Sequence, residues 1–551
     1  MIYSFDIFDT CLARLCGEPH NLYDVLSKKV IKLMRGESSE YLRELFVGAR
    51  GRASGNSLEE VYSCVAKSFP LPCSIQEMTT LEMETEKEML VPILATRDLI
   101  EKFRASGRIL FISDMYLPSS FLRDILTEKE FFKDGDSIYV SDELQAWKRD
   151  GALFKLIRER EGISYREWHH YGDNYGSDYR IPKKLGIHAH YLHYDYLPYE
   201  ERWRNICATQ YQYPSILAGI SRAIRLSSAA PDWQSSFVCD ISGPFMVSWV
   251  LRVLGESKRM GIKRLYFCAR DVHSEFLIAK SLQCHFPDID IKYLIISSSA
   301  LYKSNLIWEY LQNMGFASDT PAAIVDSCTR GKTLYAINEL LATHGYNPIN
   351  GFFISHVGTP VTAWGTSLYS YEAVPYYLDI VANKKIRSIS GMGVFFEHLF
   401  SLNFHSRVVD YEYHGEIIRP VFAKDAIDQW NFMDDDVREM KKNNDVMLLG
   451  MADAIQLTGM EEYAGKIYES VALQTLAEFI TYPQKEYLEY LHQFHIWGIP
   501  FVEKIYRKRK GSWKRGNRFY NLPTSLSSLA SNLLSLPELR KKLHNLVSIM
   551  K

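Results

Sequence analysis

The first ten residues constrain this chain more than any other stretch. The run Ile2–Phe5 is apolar, and the carboxylates of Asp6 and Asp9 follow it at once. A short apolar run that ends in polar residues is typical of a buried strand. In open α/β sheets, ligands bind beyond the carboxyl ends of the strands, where a carboxylate can ligate magnesium or act as a nucleophile. Taken alone, Asp6 and Asp9 are equally typical of a turn and a helix cap.

Later strand ends carry groups that complement these carboxylates. Residues 108–112 form an apolar run that ends at Ser113, and residues 168–171 form another that leads into Asp173. A hydroxyl at a strand end can hydrogen-bond a phosphoryl oxygen, and Asp173 brings a further carboxylate toward the first. Lys148 precedes a helical pattern, and a lysine there can neutralise the negative charge that develops in phosphoryl transfer.

The segment between the first two of these strands has a helical pattern. Apolar residues recur at helical spacing in 21–34 and 58–69, and Pro92 interrupts a third helical pattern at 74–105. We predict a helical insert at about 15–105, which in a hydrolase can lie over the site and exclude water. The simpler interpretation is a subdomain that only packs against the rest.

The order of these motifs resembles the haloacid-dehalogenase-like (HAD) hydrolase superfamily over roughly residues 1–195. The resemblance implies a Rossmann-like α/β domain with a helical cap and a magnesium cofactor. It also implies a role for each motif: Asp6 as nucleophile and magnesium ligand, Ser113 as phosphoryl-binding group, Lys148 as charge-neutralising group, Asp173 as magnesium ligand, and Asp178 as a further ligand or the group that orients Lys148.

A narrower resemblance concerns the strings Ser4–Thr10, Ile112–Leu117 and Leu265–Asp271. They are similar to a subset of the superfamily that often accompanies glycosyltransferases of bacterial surface polysaccharides. The resemblance therefore implies a phosphosugar or related metabolite as substrate, and a glycosyltransferase as a partner.

One position departs from the phosphatases of that superfamily. They usually carry an Asp two residues after the nucleophile, as the acid that protonates the leaving group, and here that residue is Phe8. The carbon–halogen hydrolases also tend to have an aromatic residue there, and a halide needs no proton. Three alternatives follow: weak phosphatase activity, Asp9 as the acid from a shifted position, or a substrate with a good leaving group.

A second α/β pattern follows, and helical patterns separate its apolar runs, which predicts a parallel sheet. The runs lie at 264–269, 292–296, 322–325 and 351–355. Polar residues follow two of them and form either a second polar site or salt bridges and caps: Arg270, Asp271, Asp326 and Lys332. Amides at the helix start beside Lys332 could bind a phosphate, but Asp326 stands where a P-loop needs its first glycine.

Composition narrows the function classes. With 551 residues the chain is too long for one core, and its net charge of -2 implies no bulk attraction to nucleic acid or membrane. Nine dispersed cysteines without zinc-site spacing predict reduced thiols in a cytoplasm. The longest apolar stretch, 243–251, is too short to span a bilayer, so we expect a buried helix and no transmembrane segment.

These patterns predict a magnesium-dependent phosphohydrolase that acts on a small phosphorylated substrate through an aspartyl-phosphate. We expect a HAD-like domain at 1–200, a second α/β domain at 201–420, and a mostly helical region at 421–551. In that last region a basic, aromatic run at 505–520 could bind a polyanionic partner, although such runs are more often solvated loops. Three alternatives remain: a carbon–halogen hydrolase that uses Asp6, a catalytically degenerate scaffold or binding protein in surface-polysaccharide synthesis, and transferase chemistry in the second domain.

Overall fold

The protein is described by a computed structural model that covers residues 1–34, 39–55, 57–205, 213–269, 271–329, 331–356, 408–423, 435–460 and 475. The basic run at 505–520 and Arg270 lie outside these described residues. Their predicted roles, and the glycosyltransferase partner, stay predictions.

The first unit is built on a parallel sheet with the first strand at its centre. The strands of this unit are β1 (Ile2–Phe5), β2 (Leu12–Arg14), β3 (Leu90–Pro92), β4 (Arg108–Ser113), β5 (Ser137–Val140), β6 (Trp168–Gly172) and β7 (His188–Tyr191). Five of them form a sheet in the order β5-β4-β1-β6-β7, and every neighbouring pair is parallel. The residues after β1 therefore emerge between the ends of β4 and β6.

The helical insert is bracketed by two short strands that the sequence pattern did not predict. β2 and β3 pair in antiparallel fashion, and four helices lie between them: α1 (Asn21–Leu33), α2 (Glu40–Arg52), α3 (Leu58–Val65) and α4 (Ile75–Met89). Ser74 and Glu77 form a capping box that starts α4. The next helix, α5 (Leu94–Arg104), follows β3 and lies on the first sheet, where Phe103 stacks on Tyr3 with ring centroids 4.4 Å apart.

A buried ion pair ties the insert to the loop after β4. Arg50 Nη2 donates to Glu82 Oε1 at 2.6 Å, and the Tyr62 hydroxyl donates to Glu82 Oε2 at 2.7 Å. Arg50 also donates to the Tyr116 hydroxyl, three residues beyond Ser113. The insert is thus held against a loop that leaves the carboxyl edge of the sheet.

The remaining helices of the first unit cover the sheet or connect its strands. They are α6 (Ser119–Glu128), α7 (Ser141–Leu144), α8 (Ala152–Glu161) and α9 (Ile181–Leu185), with a π-helical turn at Tyr175–Arg180. Lys148 lies in the turn between α7 and α8, ahead of the helix that the sequence pattern predicted it to open.

The second unit contains the predicted parallel sheet. Its strands are β8 (Arg264–Cys268), β9 (Asp290–Leu294), β10 (Ala322–Thr329) and β11 (Asn350–His356), in the order β11-β10-β8-β9. Its helices are α10 (Pro198–Arg204), α11 (Tyr213–Leu226), α12 (Asp232–Phe237), α13 (Gly243–Arg259), α14 (His273–Ser281), α15 (Ser298–Lys303), α16 (Ile307–Met314) and α17 (Lys332–Thr343). An antiparallel hairpin, β12 (Val408–His414) and β13 (Ile417–Phe422), was not predicted, and α18 (Asp435–Thr458) follows it.

The apolar stretch at 243–251 is a buried helix, as predicted, and the helix continues through Gly243-Pro244. One helix runs from Asp232 to Arg259, and a π-helical turn at Val238–Ser242 precedes the proline. A proline cannot donate the usual backbone bond, and the wider turn accommodates that loss. This is the one helix of the described residues long and apolar enough to cross a membrane, and 94% of its most apolar window is buried inside the protein.

The two units share a hydrophobic core. Residues next to β2, such as Leu15 and Cys16, belong to the same buried cluster as residues of α11, α13 and β8. Gly219 of α11 makes this contact close, because a Cβ there would lie 2.2 Å from Gly17 N and 2.4 Å from Gly17 Cα. Helix α11 therefore rests on the loop that follows β2.

We expect Gly219→Ala to destabilise the protein by about 1–3 kcal/mol, because the added methyl overpacks against backbone that cannot turn aside. Gly255→Ala in the neighbouring α13 is the matched control, since a Cβ there meets no atom within 4 Å. That exchange should stabilise the helix by up to about 1 kcal/mol. Urea denaturation of both variants checks the pair, and equal stabilities would contradict the close packing of α11.

Candidate active site

The loop after β1 is folded into a tight turn that fixes Asp6. The Asp6 amide donates to Tyr171 O at 2.9 Å, which extends the parallel pairing of β1 with β6 by one residue. Ile7 O then accepts from the amides of Cys11 and Leu12. Asp6 is consequently buried at the carboxyl edge of the sheet, beside a cleft of about 420 Å³.

Lys148 bridges two of the predicted carboxylates. Its ammonium lies 2.5 Å from Asp6 Oδ1 and 2.7 Å from Asp178 Oδ1, and the residue is 3% exposed. Its backbone amide donates to both oxygens of Asp114, at 2.9 and 3.1 Å, which anchors the turn before α8. A buried cation is thus held next to the candidate nucleophile.

Three carboxylates come together as the sequence predicted. Asp6, Asp173 and Asp178 each offer one oxygen, and these atoms all lie within 4.8 Å of one another. The buried hydroxyl of Thr10 lies 3.2 Å from Asp173 Oδ1 and 3.5 Å from Asp6 Oδ2, so it links the first and second of them. Sequence reasoning missed Thr10, although its place on the same turn as Asp6 was a usable signal.

Asp178 returns to the site because the residues before it form a compact turn. Asn174 Oδ1 accepts from the amides of Gly176 and Ser177, and the π-helical turn starts there. Gly172 is needed for space rather than for an unusual backbone angle, since a Cβ there would lie 2.5 Å from Asp178 Cβ.

A buried chain of hydrogen bonds supports Asp178 from behind. His170 Nε2 lies 3.2 Å from Asp178 Oδ1, and His170 Nδ1 lies 2.7 Å from Ser4 Oγ, which also accepts from Trp168 Nε1 at 2.7 Å. Burial lowers the pKa of His170, so it is the neutral ring that donates to Asp178 and accepts from Ser4. His170 therefore positions a site carboxylate.

Both oxygens of Asp178 already have partners. Oδ1 is bound by Lys148 and His170, and Oδ2 accepts from the Asn174 amide at 3.1 Å. Of the two predicted roles for Asp178, orienting Lys148 fits these contacts better than direct metal ligation. Asp6 and Asp173 are the carboxylates better placed to hold a cation.

Burial and mutual repulsion set the protonation of the carboxylates. Burial raises the pKa of Asp173 to about 6, with repulsion from Asp9 and Asp178 adding to it. Burial also raises the pKa of Asp6, against the opposing effect of Lys148. For Asp178, burial alone would raise the pKa, but Lys148 and His170 outweigh it and hold the pKa below its ordinary value. A divalent cation would relieve the repulsion between Asp6 and Asp173.

The remaining predicted site residues fall into two groups. Ser113 ends β4, is buried, and lines the cleft with Asp6. Asp9 does not line it, because its backbone has a φ of 55° and its Oδ1 is paired with Arg222 Nη1 at 2.6 Å. Phe8 lines the cleft instead, and the Arg14 guanidinium lies 4.2 Å from its ring centre.

The predicted second site is distributed over the carboxyl edge of the second sheet. Asp271 follows β8, Asp326 lies in the neighbouring β10, and Lys332 is the first residue of α17. Both carboxylates act on Cys268, whose pKa is raised first by burial and then by Asp326 and Asp271. Because Arg270 lies outside the described residues, a second polar site there stays a prediction.

No protein-family model matches this chain, and no curated protein matches it. Solved structures similar to its N-terminal part are HAD-family hydrolases. A HAD-family enzyme from Bacteroides thetaiotaomicron is 13% identical and spans 35% of this chain and 92% of its own, with a TM-score of 0.25. A HAD phosphatase from Thermococcus onnurineus is 20% identical and spans 35% and 86%, with a TM-score of 0.27.

A dehalogenase is also among the similar structures. An L-2-haloacid dehalogenase from Xanthobacter autotrophicus, with chloropropionic acid covalently bound, is 12% identical and spans 39% of this chain and 86% of its own, with a TM-score of 0.28. At such TM-scores these likenesses do not decide between reactions, and the chemistry of the site stands on its own geometry.

Proposed function

We propose that this protein is a magnesium-dependent phosphohydrolase that acts on a small phosphorylated metabolite, a phosphosugar in the first instance, through an aspartyl-phosphate intermediate. The observation that supports the proposal most is the bridge of Lys148 between Asp6 and Asp178, with Asp173 beside it. It joins a buried nucleophile, a fixed cation and a second carboxylate in one cleft.

The residues present fit a magnesium ion. Mg²⁺ prefers oxygen ligands and is usually held by one or two carboxylates together with water and phosphate oxygens. Asp6 and Asp173 supply such carboxylates, and their oxygens lie within 4.8 Å of each other. When bound, the ion would neutralise charge on the phosphoryl group of the substrate.

Each of the other site residues has its own role in the proposed reaction. Asp6 attacks phosphorus, and Lys148 places its ammonium beside the atoms where negative charge develops. Ser113 offers a hydroxyl to a phosphoryl oxygen. Asp178 holds Lys148 in place by binding its ammonium, and His170 holds Asp178 in place by a hydrogen bond.

Hydrolysis of p-nitrophenyl phosphate tests the proposal, and its pH dependence makes the test sharper. We expect turnover to require Mg²⁺ and to fall as the pH drops through about 6, because the protonated Asp173 cannot hold the ion. Above that pH the carboxylate is ionised and binds. Raising the Mg²⁺ concentration should move the acid limb to lower pH, because the ion and the proton compete. Full activity in a chelator, or an acid limb that ignores Mg²⁺, would contradict the proposal.

A second candidate function is carbon–halogen hydrolysis. Phe8 in the cleft and the pairing of Asp6 with the Lys148 ammonium favour it, because attack on carbon with loss of halide requires neither metal nor acid. Release of halide from a 2-halo acid in the presence of a chelator would support it. If neither phosphate hydrolysis nor halide release is detected, the protein is better explained as a catalytically degenerate scaffold.

A further inference from the structure

The leaving group of the proposed reaction departs beside a residue that cannot give it a proton. Phe8 stands two residues after Asp6 and lines the cleft. Its ring has no exchangeable proton, and the Arg14 guanidinium packs on it. Arg14 in turn is held by Glu86 of α4 at 2.7 Å, so a helix of the insert fixes what lies behind the ring. At position 8 the cleft is therefore lined by an aromatic ring that its neighbours hold in place.

Asp9, the alternative acid, is not among the residues that line the cleft, and an ion pair holds its carboxylate. Arg222 Nη1 lies 2.6 Å from Asp9 Oδ1, and Arg222 Nε donates to Tyr194 O at 2.8 Å. Helix α11 delivers this arginine, and the contact of Gly219 with Gly17 brings the helix close enough. The ion pair makes Asp9 an anchor for the loop after β1, and Arg222 is the residue that positions it.

The carboxylates that do line the described cleft have other tasks. Asp6 is the nucleophile, Asp173 is placed for a cation, and both oxygens of Asp178 are bound by protein groups. Both oxygens of Asp114 accept from the Lys148 amide. Lys148 itself is locked between two carboxylates. Within the described part of the chain, the cleft therefore holds no carboxyl group free to protonate a departing oxygen.

We propose that the substrates of this site are phosphoryl compounds whose leaving group is a weak base, namely acyl phosphates or phosphoric anhydrides. The inference rests on the proposed hydrolysis through Asp6, and it replaces the phosphosugar monoester proposed above as the substrate. Asp6 forms a bond to phosphorus while the bond from phosphorus to the leaving oxygen breaks, and the carboxylate or phosphate departs with the electron pair. Water then adds to phosphorus, the bond to Asp6 breaks, and inorganic phosphate and one proton are released.

The basicity of the leaving oxygen then controls the rate. A carboxylate has a conjugate acid with a pKa of about 4 and a phenoxide one of about 10, whereas an alkoxide approaches that of water, about 15.7. A general acid is worth about 10²- to 10⁴-fold in rate. A sugar phosphate monoester, which leaves as an alkoxide, should lose that factor here. An acyl phosphate should lose none of it.

A leaving-group series tests the inference on the full-length protein with Mg²⁺. The probes are acetyl phosphate, pyrophosphate, substituted phenyl phosphates and glycerol phosphate. We expect kcat/KM to fall steeply as the leaving group becomes more basic, with glycerol phosphate at least about 10²-fold below acetyl phosphate. Comparable rates on both would overturn the inference and leave the proposed function standing. No turnover of any probe, acetyl phosphate included, would overturn the proposed function itself.

Variants show which residue causes kcat/KM to fall as the leaving group becomes more basic. Phe8→Asp should raise the rate on glycerol phosphate relative to acetyl phosphate by about 10-fold or more, whereas Phe8→Leu should keep the wild-type ratio. Asp9→Asn and Asp114→Asn should change the rates on all probes by one common factor. A selective loss of glycerol phosphate turnover in either would identify that residue as the acid and overturn the inference. The wild-type series decides the matter even where a variant fails to fold.

Discussion

Asp6→Asn is expected to reduce hydrolysis of aryl phosphates by more than about 10⁴-fold, and to abolish formation of a phosphorylated enzyme. Loss of the covalent nucleophile in a serine protease costs about 10⁶-fold in kcat. Here the amide would keep its place at the carboxyl edge of the sheet, but it cannot attack phosphorus. Trapping the intermediate with acid after a short reaction measures the effect directly.

The fold of the Asp6→Asn variant should survive, which separates chemistry from stability. Lys148 loses one partner but keeps Asp178, and the burial that raises the pKa of Asp6 no longer acts on a charged group. Asp98→Asn is the control, because Asp98 is an exposed carboxylate on α5. A phosphoenzyme that forms at the wild-type rate in the Asp6→Asn variant would exclude Asp6 as the nucleophile.

Lys148→Met is expected to lower both activity and stability. Removing one charged donor from a preorganised site costs about 10²- to 10³-fold in kcat. The same change leaves Asp6 and Asp178 buried beside each other without their shared cation, and breaking a buried ion pair in this way costs about 3–5 kcal/mol. Urea denaturation in a chelator measures the loss of stability free of any bound metal.

A double variant distinguishes the two effects. Lys148→Met with Asp178→Asn removes one of the two unpaired charges that the single change leaves, so part of the lost stability should return. The activity should not return, because the ammonium beside Asp6 is still missing. If Lys148→Met proved as stable as the wild type, the buried bridge between Asp6 and Asp178 would be refuted.

The residues that gather at the cleft could be found from the sequence because strand ends leave a recognisable pattern. An apolar run followed by a polar residue marks a strand and its carboxyl end, and in a parallel sheet such ends share one edge. Asp6, Ser113 and Asp173 meet in the cleft for that reason. Strands β2 and β5 of the first unit were missed for different reasons: β2 has only three residues, and three of the four residues of β5 are only half-buried, so neither forms a clear apolar run.

The side-chain partners of Asp9 and His170 could not be predicted from their neighbours in the sequence. Asp9 lies three positions from Asp6, which suggested a shared task, yet its partner is Arg222, which lies 213 positions away. His170 has no spacing that connects it to Asp178, and only the fold of the Tyr175–Arg180 turn brings the two into contact. Such contacts arise when separate helices, strands and turns pack together, and the hydrophobic pattern of a short segment does not predict them.

The amino-acid sequence by itself determined which groups reach the carboxyl edge of the first sheet, because hydrophobic periodicity fixes the strands and the strands fix their ends. Only the tertiary structure decided which charged groups form ion pairs with one another. It placed Lys148 between Asp6 and Asp178, and it turned Asp9 toward α11. The physical reason is that burial makes each unpaired charge costly, so the folded chain pairs charges across long sequence separations.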